Sequence, residues 1–267
     1  MRNDLELIVR QFPKSQNRLH LYAIGDVHVG SEQFDEDAIR KKISIIKDDP
    51  IGVVSLCGDL GDYGLKNSKT NVYKATMSPE EQQKYIYELF KPIANKIVSA
   101  VPGNHEERIT REVGLCPLYD LCVLWGIQDA YRENVAILKL MFGKYKGGPG
   151  QNTFIGITTH GSSRNKHHHF AASFDGIDFA ISGHCHQPSY TPHGKIRVCN
   201  QRQTAYHVSY KEIVVDANLT PGGYSLKKEY EVSPPPELQY LELFSHRTKK
   251  NGEDTVHKVI NYHSIQI

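Results

Sequence analysis

The chain has 267 residues, with 32 basic and 30 acidic side chains and a formal net charge of +2 when histidine is neutral. Apolar residues make up 39% and charged residues 23%, and with the 21 glycines this is ordinary globular usage, which excludes disordered, collagen-like and coiled-coil classes. The near-neutral balance also argues against a long nucleic-acid track and leaves only short or local contact open.

The longest apolar runs, such as Ile51–Cys57, fall far short of a bilayer span, so no transmembrane helix and no membrane partner are expected. The first residues lack the basic head, long apolar run and cleavage site of a signal peptide, so a cytoplasmic protein is expected. Five cysteines (57, 116, 122, 185, 199) form no C-x-x-C pair and are odd in number, as reduced thiols would be. Fourteen histidines are a surplus for this length, and several cluster.

In chain order, Arg18–Ile24 is a short apolar run ending at Gly25 and predicts a strand. Asp35–Lys47 has apolar residues at 39, 43, 45 and 46 among charges and predicts a helix. Ile51–Leu56 predicts a buried strand. Ser78-Pro79-Glu80-Glu81 offers an N-cap, proline at the first helical position and glutamate three residues after the cap, so a helix starts there and ends near Pro92. Lys96–Val101 predicts the next strand, and Glu106–Val113 and Leu118–Trp125 predict helices. This alternation is that of parallel βαβ units.

The second half reads as strands at Val135–Phe142, Thr153–Thr159, Ile177–Ser182, Ile196–Asn200, His207–Val215 and Tyr224–Val232. Glycine and proline turns at 147–150 and 221–223 separate some of them. Ser233-Pro234-Pro235-Pro236 is the clearest linker, and two strand-like pieces follow it at 238–244 and 255–267. The expected division is a catalytic domain over 1–232 and a proline-rich linker with a β extension over 233–267.

Polar residues at the strand ends carry the chemistry. Gly25-Asp26-Val27-His28 follows the first predicted strand, Gly58-Asp59-Leu60-Gly61-Asp62 the second and Gly103-Asn104-His105-Glu106 the third. Thr159-His160-Gly161 and Gly183-His184-Cys185-His186 come later. Open α/β sheets bind ligands at the carboxyl ends of their strands. On extended chain, residues two apart point the same way, so Asp26 with His28, and His184 with His186, are expected to converge. A pool of carboxylates, one amide and imidazoles, with no necessary thiolate, suits manganese, iron, zinc or nickel. Cys57 and Cys185 lie beside these residues and read as small packing groups.

These five motifs, in this order, resemble the calcineurin-like metallophosphoesterase superfamily, whose pattern is D-x-H, G-D-x-x-D, G-N-H-[DE], H, G-H-x-H. The resemblance runs from Asp26 to His186. It implies an α/β/β/α sandwich, a four-layer α/β fold, with a dinuclear centre at the strand ends. It implies Asp26, His28 and His186 as ligands of one ion, Asn104, His160 and His184 as ligands of the other, and Asp59 as the bridge with two oxygens to share. Two divalent transition ions about 3.5–4 Å apart, manganese first among the candidates, would then hold a bridging hydroxide that attacks phosphorus. By the same resemblance His105 is the general acid, or a donor to the phosphoryl oxygen, and Asp62 the carboxylate that orients it.

The protein-phosphatase branch follows the orienting aspartate with Arg-Gly, whereas Tyr63-Gly64 stands here. The exonuclease-like branch has histidine where Asp62 sits. Beyond Pro221 the sequence is similar to tails of phage and prophage members. Further candidates for gripping phosphate are Arg108 and Arg111 on the helix after the catalytic loop, and Arg164 and His168 in the loop between His160 and His184. The expected substrate is a phosphate ester, favouring a nucleotide or short nucleic-acid phosphodiester. A phosphomonoesterase and a metal-site scaffold for protein binding are the alternatives. The C-terminal extension is a candidate surface for homo-oligomer formation.

Overall fold

The computed structural model describes residues 4–66, 68, 72–144, 151–162, 170–201, 203–222, 234–250 and 253–267. The strand expected at 224–232 lies outside them. Two sheets pack face to face. Strands β1 (Ile8–Gln11), β5 (Val135–Phe142), β6 (Asn152–Thr159), β7 (Phe179–Ser182), β8 (Ser189–Cys199) and β9 (Thr204–Val214) form a six-stranded sheet in the order β1-β5-β6-β7-β9-β8. Strands β2 (Arg18–Ile24), β3 (Gly52–Leu56), β4 (Ile97–Ala100), β10 (Glu237–Lys250) and β11 (Glu253–Gln266) form a five-stranded sheet in the order β11-β10-β2-β3-β4. β2, β3 and β4 run parallel, as do β6 and β7, so five loops that follow strands emerge at one rim.

Strand alternation builds the two faces of the five-stranded sheet. Leu19, Leu21 and Ala23 of β2 point inward, where they meet Leu138, Leu140, Phe154 and Phe179 of the other sheet. Tyr22 and Ile24 point outward, beneath helices α1 (Glu36–Asp48), α2 (Pro79–Phe90) and α4 (Pro117–Leu124). β3 is buried at every residue, as a central parallel strand is. Gly156 of β6 lets the Phe179 ring lie flat on the sheet, since a Cβ there would come within 2.2 Å of it. On the outer face of the six-stranded sheet, Ala171 and Phe174 pack on Val135, Ile157 and Tyr210. No helix among the described residues is long and apolar enough to cross a membrane.

Helix ends follow their local sequence. The Asp35 side chain accepts from Ala38 N at 2.9 Å and starts α1. Ser78 and Glu81 close a reciprocal capping box at α2, with Pro79 in the first turn. The third helix, α3 (Asn104–Val113), begins two residues before the expected Glu106. Asn104 and His105 therefore lie in its first turn.

The C-terminal hairpin is part of the sheet. β10 pairs antiparallel with β2 from Tyr240↔Tyr22 to Phe244↔Arg18, and Leu238, Leu241 and Leu243 are buried. Asp216, just after β9, holds this junction. Its carboxylate accepts from the buried Lys42 of α1 at 2.9 and 3.0 Å and from Glu237 N at 2.8 Å. Burial pulls the Lys42 amine down and pushes the Asp216 carboxyl up, and their mutual attraction opposes both shifts. Removing one partner strands the other charge in the core. Lys42→Ala should therefore destabilise the protein by about 3–5 kcal/mol in urea unfolding, and the double change Lys42→Met with Asp216→Asn should cost less than Lys42→Ala alone.

Candidate metal centre

Asp26 and His28 follow β2, Asp59 and Asp62 follow β3, Asn104 and His105 follow β4, His160 follows β6, and His184 and His186 follow β7. The structure brings all of them together at the rim. Three overlapping clusters have site-facing atoms within 4.8 Å of one another: Asp26 with His28 and His186, His28 with Asp59 and His105, and Asp59 with His160 and His184. Asn104 joins the last group, its Oδ1 lying 3.1 Å from His160 Nε2 and 2.8 Å from His184 Nδ1.

The convergence has a different cause from the extended alternation that the spacing predicts. Asp26, His28, Asp59, His184 and His186 have φ of 50°, 53°, 52°, 75° and 54°, in the left-handed region. Such backbone costs about 1–3 kcal/mol per residue and persists only where the surroundings over-determine it. Here they do. Asp26 N donates to Gly58 O at 3.0 Å, Val27 N and His28 N to Asp59 O at 2.8 and 3.0 Å, and Asn218 N to Asp26 O at 3.0 Å. Two glycines let backbone approach the carboxylates. A Cβ on Gly103 would fall 2.1 Å from Asp59 Oδ1, and one on Gly183 2.7 Å from Asp26 Oδ2.

Asp59 offers the centre one oxygen rather than two. Its Oδ1 accepts from His105 N at 2.8 Å, at the amino end of α3. Oδ2 faces inward, 3.2 Å from His160 Nε2, 3.9 Å from His105 Nε2 and 4.0 Å from His28 Nε2. Asp26 is fully buried. Its Oδ2 accepts from His184 N at 2.8 Å, whereas Oδ1 has no hydrogen-bond partner among the described residues and lies 3.5 Å from His186 Nε2. A buried carboxylate oxygen left without a donor, amid imidazole nitrogens, fits a cation.

The imidazoles are set by their other nitrogens. His160 Nδ1 donates to Cys57 O at 2.7 Å, so Nε2 faces the centre. Burial pulls His160 down, but the Asp59 and Asp26 carboxylates outweigh it and raise the ring to about 10. Burial and the neighbouring His105 pull His28 down to about 3, leaving it neutral. His105 Nδ1 donates to the Asp62 carbonyl at 2.6 Å, with the Asp62 carboxylate 3.3 Å away. The backbone of Asp62 thus holds this ring at least as closely as its side chain. Burial opposes protonation of His105, yet Asp62 and Asp59 shift it upward.

Glu106 has a part that its sequence position alone does not reveal. Its buried carboxylate accepts from Asp59 N, Leu60 N and Gly103 N at 2.8 Å each and from Gly61 N at 3.4 Å. One side chain thus binds the Asp59 loop to the first turn of α3. Burial and the nearby Asp59 charge push its carboxyl up, and the amides pull it back. In the sequence Glu106 is marked as the acidic end of the G-N-H-[DE] motif, three residues from Gly103, which is also a capping-box spacing.

The substrate candidates divide. Arg108 is half-buried, with Nη1 3.4 Å from Asp62 O and hence beside His105. Arg111 is exposed and paired with Glu107 at 2.7 Å. Arg164 and His168 lie outside the described residues. Tyr63, where the protein-phosphatase branch has arginine, turns into the core and donates to Gln83 Oε1 at 2.5 Å.

Comparison with known proteins gives two findings. The family model described as calcineurin-like phosphoesterase matches residues 19–188. Among solved structures, vacuolar protein sorting 29 from Cryptosporidium parvum is similar at 12% identity over 93% of this chain and 100% of that chain, with a TM-score of 0.43. No curated protein matches.

Two tests probe the site's internal forces. Glu106→Gln sets an amide donor against backbone donors, and it should cost about 1–3 kcal/mol in urea unfolding and lower the metal content found by elemental analysis. The second test concerns pH. A histidine raised in the folded state stabilises fully below its unfolded value of about 6.5 and loses that contribution as pH climbs toward its folded value, about 10 for His160. The melting temperature of chelator-treated protein should therefore fall from about pH 7 to about pH 9, and His160→Gln should flatten the fall.

Proposed function

The chain belongs to the calcineurin-like phosphoesterase family, a family of metal-dependent phosphoesterases, and on that premise we propose that it hydrolyses phosphodiesters at a dinuclear centre built around Asp59. The observation that carries this reading is the arrangement of His28, His105 and His160 nitrogens within 4.0 Å of one buried oxygen, Asp59 Oδ2. Asp26, His28, His186 and Asp59 would hold one divalent ion, and Asp59, Asn104, His160 and His184 the other. Their mixed oxygen and nitrogen donors suit manganese, with iron, zinc and nickel as alternatives. Bound, the ions supply Lewis acidity that activates water and offsets phosphoryl charge.

The protein's own groups supply the proton and the orientation. The Asp62 carbonyl can only accept, so His105 carries a hydrogen at Nδ1. Its second proton then sits at Nε2, on the side that faces Asp59 Oδ2. An imidazole shifted upward by two carboxylates holds that proton to higher pH than a free imidazole does and can give it to the leaving oxygen. Arg108, beside the same ring, is the cation we assign to a non-bridging phosphoryl oxygen.

Charge supports a diester over a monoester. A phosphomonoester carries a second negative charge, and here Tyr63 buries its side chain where the protein-phosphatase branch presents arginine. A nucleotide or short nucleic acid is the favoured source of the diester, acted on in the cytoplasm. Retention of Asn104 and His105 argues against a mere binding scaffold.

Hydrolysis of bis(p-nitrophenyl) phosphate with added manganese tests this directly. His105→Asn should lower kcat by about 100-fold or more, and Asp59→Asn should lower both activity and bound metal. Unchanged rates in both variants would refute the proposal. Faster release of phosphate from phosphopeptides than from the diester would instead favour a phosphomonoesterase.

A further inference from the structure

A trough of two adjoining cavities runs from the candidate centre along α3. Its near part, about 560 Å³, is walled by Asn104, His160 and His184. Its far part, about 820 Å³, is walled by Tyr119 and Tyr131. The two share Pro102, Glu107, Glu133 and Asn134. From Asn104 to Arg111, along this trough, the helix rises about 10 Å.

We propose that this trough binds one ester arm of the substrate, and that the arm is a single nucleoside with no further phosphate. The inference rests on the phosphodiesterase reading and adds the identity of the arm. Tyr119 and Tyr131 meet edge to face at 5.3 Å and 69°. Tyr119 remains 43% exposed and so has surface left to stack a flat ring. The neck is acidic. The charge of Glu107 is balanced by Arg111, whereas Glu133 has no cationic partner among the described residues. Asp4 braces this wall, accepting from Glu133 N at 3.1 Å and from Asn134 Nδ2 at 2.7 Å. Carboxylates accept from sugar hydroxyls and repel a second phosphate. The chemistry thus runs from phosphoryl group to hydroxylated middle to flat end.

Three p-nitrophenyl phosphodiesters test this, with methyl, thymidine and 3′-phosphorylated thymidine as the other arm. The wild-type protein should favour the thymidine ester over both others by about 10-fold in kcat/KM. Tyr119→Ala should raise KM for the thymidine ester by about 10-fold, with kcat and the methyl ester unchanged. Glu133→Lys should narrow the gap between the thymidine ester and its 3′-phosphorylated form. Equal use of the methyl and thymidine esters, or variants that leave the ranking unaltered, would overturn the inference while sparing the phosphodiesterase. Should no ester be cleaved, the proposed activity fails, and calorimetry with free thymidine judges the trough alone. Binding that Tyr119→Ala abolishes would uphold it, and the absence of binding would overturn it.

Discussion

Burial of the Asp26 and Asp59 carboxylates is the constraint on which the rest depends. Taking an ionised carboxylate out of water costs several kcal/mol even after relaxation, and the cost is met only by charge and hydrogen bonds from the surroundings. Asp59 Oδ1 receives the His105 amide and Asp26 Oδ2 the His184 amide, which leaves one oxygen of each turned toward imidazoles. In the metal-free protein these carboxylates shift His160 and His186 upward against their burial. A divalent ion is the stronger answer to the same deficit. The rim is therefore held in a metal-ready arrangement by electrostatics that a proton satisfies only in part.

That arrangement must be enforced, because it sits on strained backbone. Five ligand-type residues occupy the left-handed region. The loops after β2 and β3 lock together through backbone hydrogen bonds, and Glu106 ties the second of them to α3. Below the rim, Ser55, Ser99 and Thr158 join their hydroxyls at 2.8 to 3.3 Å and fasten β3 and β4 to β6 across the sandwich. Loops from two sheets can hold one centre only if the sheets cannot slide, and this buried polar link resists sliding in a way apolar packing does not.

Much of this was legible in the sequence, for identifiable reasons. Asp26 through His186 could be found because glycine and ligand recur at strand ends, and α2 could be placed because Ser78, Pro79 and Glu81 each have one mechanical meaning. What stayed hidden is non-local. Four residues at Ile8–Gln11 are too short to declare a strand, which forms by pairing with β5 far along the chain. The hairpin after Pro236 reads as an appendage until β10 is seen beside β2. The left-handed angles of Asp26 and His28 leave no mark on residue type, since their glycine neighbours invite the same explanation. In the sequence Glu106 only closes the Gly103–Glu106 motif, and its three bonds to the Asp59 loop exist only in the folded chain.

Tyr63 shows how a position beside the site can be given over to the core. Its backbone also sits in the left-handed region, at φ 42°, with N donating to Gln82 Oε1 and the hydroxyl to Gln83. The side chain is committed to the core beneath α2. An arginine with the same backbone would face either burial of an unpaired guanidinium or a turn outward toward the site, so the choice at this position trades core packing against surface charge. Arg108 stands nearby on α3, with its guanidinium against the Asp62 carbonyl. It keeps one cation beside His105 while the core keeps its tyrosine. One positive group matches the single charge of a diester better than the double charge of a monoester. The proposed preference for a diester thus rests on where the chain has put an aromatic ring, four residues beyond Asp59, the candidate ligand of that loop.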